Sequence, residues 1–134
     1  APLQTLKPAA RKRLQQQLRQ GGDMATITIL EQVLQQHKPK LVMLNLGETD
    51  GGGHSGYWTR YTDAIQNADK FIYYLWLKLQ SMPKYKDKTT MIIVNDHGRN
   101  LDGVGVGFKG HGCPCEGCKH VFFSTRQGAD RDAS

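Results

Sequence analysis

Two short apolar runs, Leu41-Val42-Met43-Leu44-Asn45-Leu46 and Met91-Ile92-Ile93-Val94, each give way at once to glycine, aspartate and histidine. A nearly continuous run, rather than an alternating one, is the pattern of a strand buried on both faces, as in a parallel sheet covered by helices. Between the two runs, residues 57–81 predict the clearest helix. Tyr61, Ile65, Ala68, Ile72, Leu75 and Leu79 recur at spacings of four and three, and Met82-Pro83 closes the pattern. A third run, Val121-Phe122-Phe123, predicts another strand. Upstream, Pro8 to Gln20 is expected to be helical up to Gly21-Gly22. A second helix is expected over 24–37, with Ile27, Leu30 and Leu34 on its apolar face and Lys38-Pro39 ending it. This order predicts an α/β fold, a partial parallel sheet with flanking helices. Three strands make a thin sheet, so its core is expected to need strands from a further segment.

At 134 residues the chain is expected to form one domain, 1–134, with a basic helical segment over 1–22 and a frayed polar tail over 129–134. The net charge of +6 is concentrated: Lys7, Arg11, Lys12, Arg13 and Arg19 stand in the first 22 residues without an acid. From Asp23 on the charge is near balance, with no basic stripe interleaved with aromatics, which argues against nucleic acid as a partner. A solvated basic helix or a polyanion-binding arm both fit the first segment. No apolar run approaches the roughly 18–20 residues of a membrane span. The start, Ala1-Pro2-Leu3, shows no signal-peptide pattern, which leaves the compartment open.

In open α/β sheets ligands bind beyond the carboxyl ends of the strands. There the first apolar run is followed by a glycine-rich stretch, 47–56, which is expected to be a loop carrying Asp50 and His54. Asp96 and His97 follow the second run, and His111 lies in a long glycine-rich loop, 101–117, before the third. Carboxylate oxygen with imidazole nitrogen is a ligand mix suited to zinc and similar divalent ions. Singly, each piece has a plainer reading: Asp-x3-His arises by chance, and Asp96 after a strand can simply cap a turn. Together, at successive strand ends, they point to a metal centre. Arg99 could face a substrate anion or be an ordinary surface arginine. His120, just before the third run, is the alternative to His111.

The three cysteines all fall within Cys113-Pro-Cys115-Glu-Gly-Cys118, too local for a disulfide framework spread through a secreted domain. With His120 they offer four ligands in eight residues. Structural cysteines, reduced or paired, and an accessory metal site both remain open.

The series Asp50-x3-His54, Asp96-His97-Gly98, His111-Gly112 resembles the metal ligands of the alkaline phosphatase superfamily, in particular its type I phosphodiesterase, nucleotide pyrophosphatase and sulfatase-like branches. The resemblance runs from about Pro39 to Gly128 and includes the helix carrying Tyr61, Asp63, Ile65 and Asp69. It implies the C-terminal part of an alkaline-phosphatase-like fold and two divalent ions, zinc foremost, with manganese or calcium as alternatives. Asp50, His54 and His111 would hold the first ion, and Asp96 and His97 the second. It implies a phosphate monoester or diester as substrate, with a sulfate ester or a non-catalytic metal-binding role as the alternatives. It also leans toward a periplasmic or secreted location. The family's additional aspartate and its serine or threonine nucleophile have no counterpart here. Asp23 is the sole aspartate among the first 40 residues, and Thr5, Thr26 and Thr28 lack a strand–turn–helix setting. Those parts are expected from an N-terminal segment of the same protein.

Overall fold

A computed structural model describes residues 22–128, so the expected helix over Pro8 to Gln20 and the tail over 129–134 lie outside the described residues. The described chain forms two compact units, one ending at Glu48 and the other starting at Thr49.

The first unit is built on helix α1, Asp23–His37, one residue longer than its apolar spacing predicts. Ile27, Leu30 and Leu34 are 2%, 7% and 2% exposed and form its core stripe. Burying each such side chain contributes roughly 1.5–3 kcal/mol. Lys38, in the left-handed region at φ 48°, ends the helix just before Pro39. Residues 41–46 then run without a strand ladder, and Leu41 and Met43 are 89% and 99% exposed. The expected strand is therefore not formed among the described residues. An apolar run becomes a strand only when neighbouring strands take up its N–H and C=O groups, and none does so here.

A reciprocal clasp closes this unit. Asp23 Oδ1 accepts the backbone N–H groups of Gly47 at 2.7 Å and Glu48 at 3.3 Å, while Glu48 Oε1 accepts the N–H of Asp23 at 2.9 Å. Each acid thereby satisfies an amide at the start of the other's helix, where orphan N–H groups favour a carboxylate. Gly22, at φ 94°, leaves room for the Glu48 carboxylate that a side chain would occupy. Asp23 itself is buried, and desolvation raises its pKa above the ordinary value of 3.8 even though the Gly47 and Glu48 amides pull the other way.

The second unit begins with a correction. Residues 47–56, expected to be a loop, contain helix α2, Glu48–His54. Gly52 and Gly53 serve close packing here, while Gly56, at φ 75°, turns the chain after the helix. A Cβ on Gly52 would stand 3.0 Å from Arg60 O and 3.1 Å from Tyr61 Cα, and one on Gly53 would stand 2.5 Å from the Arg99 guanidinium carbon. Helix α3, Trp58–Ser81, follows as expected. Ala64, Leu75, Trp76 and Leu79 are its buried residues, whereas Ile65 is 44% exposed. The seam turns by one residue in the first half because the close approach of Gly52 calls for the small Ala64.

Strands β1, Thr90–Val94, and β2, Phe123–Gln127, pair antiparallel, from Thr90 opposite Gln127 to Val94 opposite Phe123. The chain is thus α/β in content, but the parallel sheet is absent from the described residues. Parallel pairing needs a crossover of a dozen or more residues, usually a helix, packed on the sheet. The return from β1 to β2 holds only a 3-10 turn, Gly107–Lys109, and a single-turn helix α4, Glu116–Lys119. Ile92, Val94 and Phe123 are 60%, 58% and 69% exposed, so the two-stranded sheet carries open apolar surface. No helix among the described residues is long and apolar enough to cross a membrane.

Candidate metal centre

Three elements of the second unit deliver side chains to one place. Helix α2 presents Asp50 and His54 four residues apart, on the same helical face, with His54 Nε2 3.4 Å from Asp50 Oδ2. The end of β1 delivers His97, whose Nε2 is 4.0 Å from Asp50 Oδ1. The loop after the 3-10 turn brings in His111, with Nε2 3.6 Å from Asp50 Oδ1 and 3.1 Å from His54 Nε2. The His97 and His111 rings stack with centroids 3.9 Å apart. Asp50 is the common neighbour of all three imidazoles.

The structure therefore brings together Asp50, His54 and His111, the three residues assigned to one ion, and draws His97 in beside them. Asp96, assigned with His97, stands at the rim: its side chain is 90% exposed and its Oδ2 lies 3.6 Å from His97 Nε2. One ligand atom each of Asp50, His97 and His111 lies within 4.8 Å of the other two.

Those spacings can be tested against an ion. Tetrahedral ligands about 2.0–2.2 Å from zinc stand about 3.3–3.6 Å apart. The pairs Asp50 Oδ2–His54, Asp50 Oδ1–His111 and His54–His111 stand 3.1–3.6 Å apart, each near ligand spacing, with the two oxygens of Asp50 facing different imidazoles. The three groups whose ligand atoms already lie together are Asp50, His97 and His111. His97 Nδ1 lies 2.8 Å from Gly98 O. In the tautomer that donates to this carbonyl, Nε2 keeps its lone pair and faces Asp50, so the carbonyl orients the ring for ligation.

Arg99 is turned inward. Its Nη2 donates to the Asp50 carbonyl at 2.8 Å and to Asp50 Oδ1 at 2.5 Å, and its side chain is only 10% exposed. The guanidinium lies 5.6 Å from the centroid of the Tyr61 ring, and Nη1 is buried without a hydrogen-bond partner. Arg99 thus fixes the backbone and carboxylate of Asp50 together. A sequence reading could have weighted this role through Gly53, since a glycine in a short helix signals a bulky neighbour lying against it. His120, the alternative to His111, is exposed and outside the cluster. The hydroxyl of Ser55, next to His54, is taken up by Gly52 O at 2.6 Å.

An α/β chain whose helix, strand end and loop converge carboxylate and imidazole on one point has the make-up of a metal-dependent enzyme. The sequence profile described as the Metalloenzyme superfamily matches residues 10–121, and the chain belongs to that family, within the alkaline phosphatase superfamily clan. The family implies divalent metal ions. No curated protein and no solved structure matches the chain.

Proposed function

We propose that this chain supplies most of the metal ligands of a phosphoric-ester hydrolase acting on phosphate monoesters or diesters, with two divalent ions, zinc foremost. The observation that carries the reading is the convergence of three imidazole Nε2 atoms at 3.4–4.0 Å from one carboxylate, that of Asp50. Asp50, His54 and His111 hold the first ion, and Asp96 and His97 the second. Two such ions clamp the attacking and leaving oxygens of an in-line displacement and lower the pKa of the nucleophile. This chain's residues do the holding. Arg99 locks Asp50, Gly98 O aims His97, and the α2 helix fixes the Asp50–His54 spacing. The nucleophile and one further aspartate come from an N-terminal segment of the same protein, whose strands would also cover the open apolar faces of β1 and β2. Three imidazoles to two carboxylates is a nitrogen-rich set that favours zinc over calcium, and so favours a phosphate ester over the carboxylate-rich sites of sulfatase-like relatives.

The test uses the full-length protein. His54→Ala should lower zinc content by elemental analysis and hydrolysis of an aryl phosphate together, with the circular dichroism unchanged. Zinc content unchanged alongside lost activity would remove His54 from the ligand set. Wild-type protein that hydrolyses sulfate esters but not phosphate esters would redirect the substrate class.

A further inference from the structure

We propose that Cys113, Cys115 and Cys118 form a second, separate metal site in the reduced chain, a three-thiolate knuckle for a zinc-like ion that anchors the loops carrying His97 and His111. The three sulfurs can all be placed within 4.8 Å of one another. Cys113 and Cys115 are joined as a disulfide with Cα atoms 5.3 Å apart, and the Cys118 thiol stands 3.1 Å from Cys113 Sγ. Thiolates about 2.3 Å from zinc in a tetrahedron stand about 3.8 Å apart, so the backbone already holds the three sulfurs at ligating range. The backbone N–H of Cys115 points at Cys113 Sγ at 3.4 Å, a donor suited to a charged sulfur. Soft thiolates select zinc and similar ions over calcium or magnesium. His120 is not drawn into the group, which leaves the fourth position to solvent.

The knuckle is stitched to the centre described above. The Cys118 thiol, which donates to Asn100 Oδ1 at 2.9 Å, gives up that proton on ligation, and the Asn100 amide then turns its NH2 toward the thiolate. Gly98 N donates to Cys118 O at 2.9 Å and Asn100 N donates to Gly110 O at 3.0 Å, bonds independent of thiol protonation. These bonds grip the residue after His97 and the residue before His111. Gly98 and Gly117 meet so closely that a Cβ on Gly98 would overlap Gly117 O. An ion in the knuckle therefore holds α4 and the 98–100 segment as one piece, and with them the stacked imidazoles.

Uptake starts from the reduced chain. A phosphine and one water convert the Cys113–Cys115 bond to two thiols, the phosphine oxide carrying off the oxygen. The three S–H groups then release their protons to buffer as three metal–sulfur bonds form.

The experiment titrates cobalt(II) into the phosphine-reduced full chain without oxygen. The expected result is a thiolate-to-cobalt charge-transfer band in the near ultraviolet that is lost in Cys118→Ser and in Cys115→Ser. The band should persist in His54→Ala, which separates the knuckle from the Asp/His centre. Elemental analysis should show the cysteine variants one zinc per chain below wild type. Alkylation should find three reactive thiols without metal and none with zinc bound. If a cysteine variant fails to fold, the wild-type alkylation pattern and the His54→Ala band decide the matter alone. No near-ultraviolet band in the reduced wild type, or equal zinc content in reduced and disulfide-bonded chains, would overturn the proposal.

Discussion

Two aspartates, one in each compact unit, show how surroundings decide what a carboxylate does. Asp23 is 3% exposed and its carboxylate is held by two backbone amides, with no cation in contact among the described residues. Asp50 keeps a side-chain exposure of 46% and touches an arginine and three histidines. Burial without a counter-charge penalises ionisation, so Asp23 serves structure and is costly to keep charged. Asp50 is charge-compensated and open on one side, which is what a metal ligand requires. The lesson concerns neighbours: both residues sit beside a helix start or on its first turn, and only the partners differ.

The contrast breaks first at Asp50. Asp50→Asn retains an oxygen for Arg99 but loses the charge and one donor oxygen. Metal affinity at the Asp/His centre should fall by more than the roughly 10–100-fold typical of losing an outer-shell partner. Isothermal titration with zinc checks it. Asparagine rather than alanine matters here, because alanine would leave the nine-tenths buried guanidinium only the backbone carbonyl of residue 50, with no side-chain acceptor. If Asp50→Asn binds zinc like wild type, the cluster is not a ligand set built on that carboxylate.

A gentler change sharpens the same point without touching a ligand. In Gly53→Ala the new methyl meets the Arg99 guanidinium at 2.5–2.8 Å and must push it off Asp50. Alanine gains about 1 kcal/mol of helix propensity over glycine, which offsets part of the roughly 1–3 kcal/mol of overpacking. Melting should therefore move little while zinc affinity drops severalfold. Equal and large losses of both would mean that Arg99 holds up the fold more than it positions the carboxylate.

Much of this centre was legible in the sequence. Asp50, His54, His97 and His111 announce themselves by residue type and by their place after apolar runs. Helices α1 and α3 follow from spacing alone. What was hidden is tertiary. Residues 47–56 read as a loop because five glycines argue against a helix on propensity, whereas contacts with Arg60, Tyr61 and Arg99 demand glycine at Gly52 and Gly53. The runs at 41–46 and 91–94 read as strands buried on both faces, with 121–123 as another strand of a parallel sheet. Instead 41–46 forms no ladder among the described residues and 90–94 keeps exposed residues. Pairing depends on which chain lies alongside, and a return without a long helix brings β2 back antiparallel. Arg99 read as an anion-facing or surface residue, because nothing local says that it folds back onto a residue 49 positions away.

Asp23 offers a test with a definite sign. Its folded pKa is raised above 3.8, chiefly by desolvation. Protonation is therefore favoured in the folded state. The stability this contributes is fully present below pH 3.8 and is lost as pH rises through the folded pKa. Asp23→Asn has no proton to lose. The variant's stability relative to wild type should rise as pH climbs from about 3.8 through that folded value, and then level off. Urea unfolding of both proteins across acid to neutral pH measures it. A flat difference would say that the Gly47 and Glu48 amides cancel the burial cost, making Asp23 more like Asp50 than the structure indicates.

The smallest effect belongs to Lys109, which carries charge close in sequence to His111 yet has no part in either arrangement. Its stem lies over Gly56, close enough that a Cβ there would meet the lysine Cε at 2.6 Å, and the side chain is exposed at the end of the 3-10 turn. Lys109→Ala gives up some stem packing and one solvated charge, and such surface changes stay within about 0.5 kcal/mol. Zinc affinity should match wild type, because Asp50 takes its compensating charge from Arg99 through a hydrogen bond at 2.5 Å rather than from the general field of nearby lysines. A screened surface charge acting across solvent has little left to contribute at ordinary salt. If Lys109→Ala weakens zinc binding as much as Gly53→Ala does, the centre responds to net charge or to loop order in general. The specific partnership of Arg99 with Asp50 would then lose its standing as the feature that distinguishes the two aspartates.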